Sequence, residues 1–186
     1  MRIAVLASGS GSNLQAIIDA KLDVCAVISN KVNAYALTRA NNSNIPNYVV
    51  DKKGVAGEVE IINILKQYDI ELVVLAGYLK ILGETILTEY KGRIINIHPS
   101  LLPKYGGKGC YGIHVHEQVI ANKEAKSGAT VHFVEAGIDT GKIILQRMLD
   151  VSIDDTPSTL QQKILNQIEH SLLVDSIKLL ESEYRL

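Results

Sequence analysis

Residues 94–103 read IINIHPSLLP, an apolar run that carries two polar residues and ends against a proline. Side chains alternate between the two faces of an extended chain, so Asn96 and His98 are expected to point the same way. Open α/β sheets bind ligands in the crevice beyond the carboxyl ends of their strands. An amide beside an imidazole suits a reaction in which negative charge builds on a carbonyl oxygen while a proton moves nearby. This stretch therefore predicts an active site, with acyl or one-carbon transfer as the natural chemistry.

Short apolar runs rich in β-branched residues alternate along the chain with longer segments of helical period. The predicted strands of this series are Ile3–Ala7, Val24–Ser29, Asn47–Val50, Leu72–Ala76 and Ile94–Ile97. The predicted helices are Asn13–Ala20, Ala34–Ala40, Val55–Gln67, Gly83–Tyr90 and His114–Ala121. Strands that are apolar throughout fit a parallel sheet covered by helices on both faces. The series predicts an α/β fold with a Rossmann-like, mostly parallel, twisted sheet.

The pattern changes in the last third of the chain. Strands Ala129–Glu135 and Ile143–Val151 are predicted with a short connector, which indicates a late antiparallel hairpin in a mixed sheet. Residues 156–180 are predicted to form one long C-terminal helix, with Thr156 as N-cap and Pro157 at the first position. The longest stretch without the hydrophobic period of a helix or a strand is 99–112, and loops of that length are often functional.

Composition favours a single domain over residues 1–186 that acts on small molecules. Lysine and arginine total 19 against 20 acidic residues, so no charge excess indicates a nucleic acid or a membrane as partner. The apolar start of the chain is too short for a membrane span and lacks signal-peptide organisation, which predicts a cytoplasmic protein. Cys25 and Cys110 are predicted to be free thiols. The sequence leaves open whether the protein is a monomer or a homodimer.

A glycine-rich segment, SGSGSN at residues 8–13, lies between the first predicted strand and the first predicted helix. Backbone N–H groups of such a turn and the helix N-terminus can hold a phosphate. NAD binding is disfavoured, because Leu14 stands where the dinucleotide motif has a third glycine and no acid marks the strand end near Ile28. The alternative is a tight turn with Ser12 or Asn13 as N-cap. The position in the chain favours the phosphate.

Asp139 lies in a glycine-bracketed turn, EAGIDTG at residues 135–141, and could meet His98. A carboxylate beside an imidazole favours its charged form, so the two would make an acid–base unit. In the alternative interpretation, Asn96 and His98 are buried polar residues that bond to the backbone, and Asp139 only forms the turn. From the residues alone, this second interpretation is the more common outcome.

Histidines at positions 114 and 116 raise the question of a metal site. Zinc needs three or four ligands, and residues two apart do not share a helix face, so no metal is predicted and the pair is assigned to a helix start. His132 is expected in a strand, and His170 on a helix surface or a site wall.

Four segments together resemble the folate-dependent formyltransferases, in matching order and spacing over essentially the whole chain: 8–14, LAGYLKIL at 75–82, 96–103 and IDTG at 138–141. The resemblance implies transfer of the formyl group of 10-formyltetrahydrofolate to the amine of glycinamide ribonucleotide in purine biosynthesis. The folate is then a co-substrate, and no tightly bound cofactor or metal is implied. Residues from about 1 to 95 would bind the substrate phosphate, and residues from about 75 to 186 would bind folate and hold the catalytic groups.

The resemblance also implies roles for individual residues. Those that match the family's catalytic trio are Asn96, His98 and Asp139. Those that match its phosphate loop are Gly11, Ser12 and Asn13. Those that match its folate contacts are Lys80, Ile81 and Leu82, together with Asn96. Glu169 matches an acid that contacts the ribose and glycinamide end of the substrate, although Asn166 stands where a lysine is often found. The glycine-rich tip at 106–112 is assigned no catalytic role.

Other activities stay open within this fold, namely hydrolysis of the formyl-folate or transfer to another amine acceptor. A formyltransferase for transfer RNA is disfavoured, since it would need a further C-terminal domain and a basic patch. A nucleotide- or folate-binding module without turnover is also less favoured, because a binder has no need of a converging amide, imidazole and carboxylate.

Overall fold

The computed structural model describes residues 1–184. The chain divides into two compact units, of which the first is Met1–Asn96 and the second begins at Ile97. Each unit has its own α/β organisation. The prediction of a single domain over 1–186 stays a prediction.

The first unit is a series of parallel strands joined by helices. Its strands are β1 (Ile3–Leu6), β2 (Val24–Ser29), β3 (Asn47–Val49), β4 (Leu72–Leu75) and β5 (Ile94–His98), the last of which continues into the second unit. Its helices are α1 (Ser12–Asp19), α2 (Tyr35–Asn42), α3 (Gly54–Gln67) and α4 (Glu84–Glu89). The strands are all parallel, in the order β3-β2-β1-β4-β5. The strand order therefore reverses between β1 and β4.

The apolar strands form the core of this unit. All four residues of β1 and all four of β4 are buried, and they pair in register from Ile3 opposite Leu72 to Leu6 opposite Leu75. A strand covered by helices on both faces must be apolar at every position, which is why β1 and β4 show no alternation. The predicted Rossmann-like, mostly parallel sheet is confirmed.

The second unit contains the antiparallel pair. Its remaining elements are α5 (Ile113–Ala121), β6 (Lys126–Phe133), β7 (Ile143–Asp150), α6 (Pro157–Ile164), a π-helical segment (Leu165–Glu169) and α7 (His170–Tyr184). Strands β6 and β7 are antiparallel, with Lys126 opposite Asp150 at one end, so the predicted hairpin is confirmed. β6 begins three residues earlier than predicted, because Lys126 and Ser127 pair with β7 although they lack a β-branched side chain.

The predicted long C-terminal helix is confirmed, since residues 157–184 are helical without a break. It starts as predicted, with Thr156 accepting a hydrogen bond from the Thr159 N–H in a capping box, and a π-helical segment that was not predicted lies between α6 and α7. The buried side chains of this region recur every four residues, at Leu160, Ile164, Ile168 and Leu172. An α-helix has only about 3.6 residues per turn. The wider π turn takes up the difference and keeps these side chains on one side.

No helix within residues 1–184 is long and apolar enough to cross a membrane. Cys25 and Cys110 are both free thiols, as predicted.

Candidate active site

In the first unit, the loops that follow β1 and β4 are joined by hydrogen bonds through Ser8. The Ser8 N–H donates to the Gly77 carbonyl at 3.1 Å, and the Ser8 hydroxyl accepts from the Leu79 N–H at 2.9 Å. The same hydroxyl donates to Asn30 Oδ1 at 2.6 Å. These loops lie at the carboxyl ends of β1 and β4, where the strand order reverses. Open α/β sheets bind their ligands at that point.

Gly11 shapes the turn that leads into α1. It is the N-cap residue and has a φ of 70°, a left-handed conformation. A Cβ at this position would lie only 2.7 Å from the Ala36 Cα. No side chain caps α1, so the alternative in which Ser12 or Asn13 is the N-cap is wrong. The start of a helix without a side-chain cap is a suitable place for an anion, because its first N–H groups point towards the ligand.

We expect Gly11→Ala to destabilise the protein, because alanine must adopt the left-handed conformation and its Cβ meets the Ala36 backbone. The conformation alone costs about 1–2 kcal/mol. Urea denaturation would measure the free energy of unfolding. Gly9→Ala is the matched control, since a Cβ at Gly9 has no atom within 4 Å, and it should change stability by less than about 0.5 kcal/mol. Equal effects of the two substitutions would refute the role given to Gly11.

The three residues assigned to folate contacts lie in the loop between β4 and α4. Ile81 is 72% exposed, whereas Leu82 is buried. The Lys80 ammonium donates to the Lys52 carbonyl, so the side chain is held back along the surface of the first unit. An exposed isoleucine beside a tethered lysine can form an apolar wall for a ligand. The folate role of these residues stays a prediction.

In the second unit, Asp139 is the centre of a polar cluster. Its Oδ2 accepts a hydrogen bond from the Gly107 N–H at 2.9 Å and lies 3.5 Å from His98 Nδ1. Its Oδ1 lies 3.7 Å from His132 Nε2. The side chains of His98 and Asp139 are only 5% and 11% exposed, so water screens their charges weakly. The structure thus brings together His98 and Asp139, the pair singled out in the sequence.

His98 is held by a hydrogen bond at one ring nitrogen, and its other ring nitrogen faces Asp139. Its Nε2 lies 2.8 Å from the carbonyl oxygen of Tyr105. A carbonyl can only accept, so Nε2 carries a proton, and Nδ1 is the edge turned towards Asp139. The loop at 99–112 therefore contacts both members of the pair through its backbone. Sequence reasoning missed these contacts, because any residue type can supply a carbonyl or an N–H group.

Two further histidines lie close to this pair. Burial lowers the pKa of His132, while its hydrogen bond to the Phe133 carbonyl and the charge of Asp139 act in the opposite direction. Burial, with a smaller contribution from His98, lowers the pKa of His116 to about 4. His116 is fully buried, and neither ring nitrogen has a hydrogen-bond partner among residues 1–184. Both side chains are therefore neutral near pH 7. The sequence placed them correctly in a strand and at a helix start, but gave no sign of their electrostatic interaction with His98.

The other sequence candidates have defined places in the fold. Asn96 is half-buried on β5, two residues before His98, so both follow the alternation of one strand. Glu169 is buried at the end of the π-helical segment, while Asn166 in the same segment is exposed. Such segments are frequent at functional sites. Among residues 1–184, no group of three or more histidines, cysteines or acids is arranged to hold a metal ion.

Comparison with known sequences identifies the family. The sequence model of the formyl transferase family matches residues 1–177. This chain belongs to the formyl transferase family. The family that the sequence motifs indicated is thereby confirmed, and the Asp139 cluster lies within the formyl transferase region.

Relatives of this formyl transferase chain carry related names. It is 42% identical over 181 residues to the trifunctional purine biosynthetic protein adenosine-3 of Drosophila melanogaster, a match that covers 91% of the chain but only 13% of that longer protein. It is 40% identical over 182 residues to the phosphoribosylglycinamide formyltransferase of Escherichia coli (strain K12), which covers 92% of the chain and 83% of the relative. The crystal structure of phosphoribosylglycinamide formyltransferase from Bacillus halodurans is similar with a TM-score of 0.90 and 37% identity, covering 99% and 97% of the two chains.

Proposed function

We propose that this chain transfers the formyl group of 10-formyltetrahydrofolate to the amine of glycinamide ribonucleotide, a step of purine biosynthesis. Membership of the formyl transferase family and the names of the relatives support this acceptor. The observation that carries the proposal is the buried His98–Asp139 pair, with 3.5 Å between His98 Nδ1 and Asp139 Oδ2. A buried imidazole beside a carboxylate can stabilise an oxyanion and move a proton.

The reaction we propose is direct transfer. The neutral amine of the ribonucleotide attacks the formyl carbon, and the carbonyl oxygen becomes an oxyanion. The Asn96 amide and the protonated His98 stabilise this oxygen. The bond between the formyl carbon and N10 of the folate then breaks, and Asp139 helps to route the proton lost by the attacking amine to N10. The products are the formylated ribonucleotide and tetrahydrofolate.

The structure supports a specific orientation for His98 in this reaction. Its Nε2 edge bonds to the Tyr105 carbonyl, which leaves the Nδ1 edge for the oxyanion. The distance of 3.5 Å from Nδ1 to Asp139 is longer than a good charge-assisted hydrogen bond. Nδ1–H can therefore donate to a substrate oxygen while the Asp139 carboxylate stays beside the ring.

We assign binding roles to the other candidates as part of the same proposal. The turn at Gly11, Ser12 and Asn13 would bind the substrate phosphate through the uncapped start of α1. Glu169 would contact the ribose and glycinamide end of the acceptor. The loop after β4 would line the folate, and Asn96 would contact its formyl end. The protein would act in the cytoplasm, as a monomer or a homodimer.

A paired assay tests the proposal. Purified protein is mixed with 10-formyltetrahydrofolate, with and without glycinamide ribonucleotide, and both tetrahydrofolate and formylated product are measured. We expect folate release that requires the ribonucleotide and equals the formylated product in amount. Release without the ribonucleotide would indicate a hydrolase and refute the transfer. No release in either mixture would refute this pair of substrates.

A further inference from the structure

Tyr105 has an unusual backbone conformation beside the proposed catalytic histidine. Its φ is 56°, in the left-handed region that disfavours residues with a side chain. This conformation accompanies the contact between its carbonyl oxygen and His98 Nε2 at 2.8 Å. Because the loop alone does not favour such a conformation, other contacts must hold Tyr105 in place.

The side chain of Tyr105 supplies those contacts. Its hydroxyl donates to Glu124 Oε1 at 2.8 Å and accepts from the Asn122 amide at 3.0 Å. The Lys104 ammonium lies 2.9 Å from the same Glu124 oxygen. The hydrogen bonds from Lys104 and from Tyr105 lower the pKa of the Glu124 carboxyl. Glu124 is thus an ionised acceptor, and hydrogen bonds to charged groups are the stronger kind. Asn122 and Glu124 follow α5 directly, so the phenol is tied to a fixed part of the second unit.

We propose that Tyr105 is a positioning residue, whose phenol anchor on Glu124 and Asn122 holds the Tyr105 carbonyl on His98 Nε2–H and so keeps the Nδ1 edge of the ring turned to the reaction. The inference rests on the proposed function. Tyr105 does not touch the reacting atoms, since only its backbone carbonyl reaches His98. Without the phenol anchor, the carbonyl leaves its position for part of the time, so the ring is no longer fixed with its Nδ1 edge at the reaction. In the free enzyme the neutral form of His98 then also samples the tautomer with the proton on Nδ1.

Tyr105→Phe tests the anchor, because it removes the hydroxyl and keeps both the ring and the backbone carbonyl. We expect kcat to fall about 3- to 10-fold, because the substitution removes the hydrogen bonds to Glu124 and from Asn122, which water can replace in part at this partly exposed position. The KM for either substrate should stay within about 2-fold, because no substrate contact is removed. Adding Glu124→Gln to Tyr105→Phe should lower kcat no further, since both changes act through the same hydrogen bond.

The decisive readout is the tautomer of His98, measured by ¹⁵N NMR of the imidazole in the full-length protein without substrate. We expect the neutral form of His98 to carry its proton on Nε2 in the wild type and to show averaged nitrogen shifts in Tyr105→Phe. This measurement does not depend on activity, so it distinguishes failure of the anchor from failure of the proposed reaction. An unchanged tautomer in Tyr105→Phe would overturn the inference, whatever happens to kcat.

Glu117→Gln is the matched control. Glu117 lies on α5 with its carboxylate 2.9 Å from His114 Nδ1, and both side chains are exposed. The substitution makes the same chemical change as Glu124→Gln and should leave both kcat and the His98 tautomer unchanged. A loss of kcat in the control equal to that in Tyr105→Phe would also overturn the inference, because it would reflect a general loss of packing.

Discussion

Asp139→Asn is expected to lower kcat by about 10²–10⁴, the range for a lost proton carrier or its charged partner. Asparagine keeps the volume of the side chain and can still accept from the Gly107 N–H with its amide oxygen. It removes the negative charge that lies 3.5 Å from His98 Nδ1. The imidazolium that stabilises the oxyanion then lacks a buried counter-charge, and the proton transfer loses its carboxylate.

Stopped-flow or steady-state assays measure kcat, and equilibrium binding of each substrate separates binding from chemistry. The dissociation constants should change by less than about 3-fold, since the shape of the site is kept. Asp154→Asn is the control, because it makes the same chemical change at an exposed position in the turn after β7. If folded Asp139→Asn kept a kcat within about 10-fold of wild type, the role of Asp139 would be wrong.

The order of strands and helices could be predicted because it depends on short-range patterns. β1 and β4 are short runs that are buried at every position, and such runs alternating with helical periods predict parallel βαβ units. The start of α6 could be predicted for a similar reason, since Thr156 and Pro157 act on their immediate neighbours.

The features that sequence reasoning missed depend on spatial contacts. The residues on both sides of the π-helical segment have the hydrophobic pattern of an ordinary helix. The extra residue in the π turn is therefore not visible in the sequence. The contact of Tyr105 with His98 uses a carbonyl that every residue has, and it requires the loop to fold back on β5. Of the candidate site, the residue types that carry chemistry were therefore predictable, while their backbone partners were not.

His116 is expected to make stability depend on pH. Its pKa is lowered from 6.5 to about 4 by burial and, to a smaller extent, by the charge of His98. Between these two values the unfolded chain binds a proton that the folded protein does not, so the free energy of unfolding falls as the pH falls. Protonation of this one residue lowers the free energy of unfolding by about 3 kcal/mol in total, and the loss is complete below about pH 4. His132 adds to the effect in the same direction, because its pKa is also lowered.

Urea denaturation of wild type and of His116→Leu, at pH 7 and at pH 5, measures this contribution. Leucine has no group to protonate, and neither ring nitrogen of His116 has a hydrogen-bond partner to lose within residues 1–184. We therefore expect the variant to match or exceed the wild-type stability at pH 7 and to lose less of it at pH 5. Part of the pH dependence must persist, since His132 is unchanged. If His116→Leu lost as much stability as the wild type between pH 7 and pH 5, His116 would contribute nothing to the pH dependence of folding. The low pKa assigned to His116 would then be wrong.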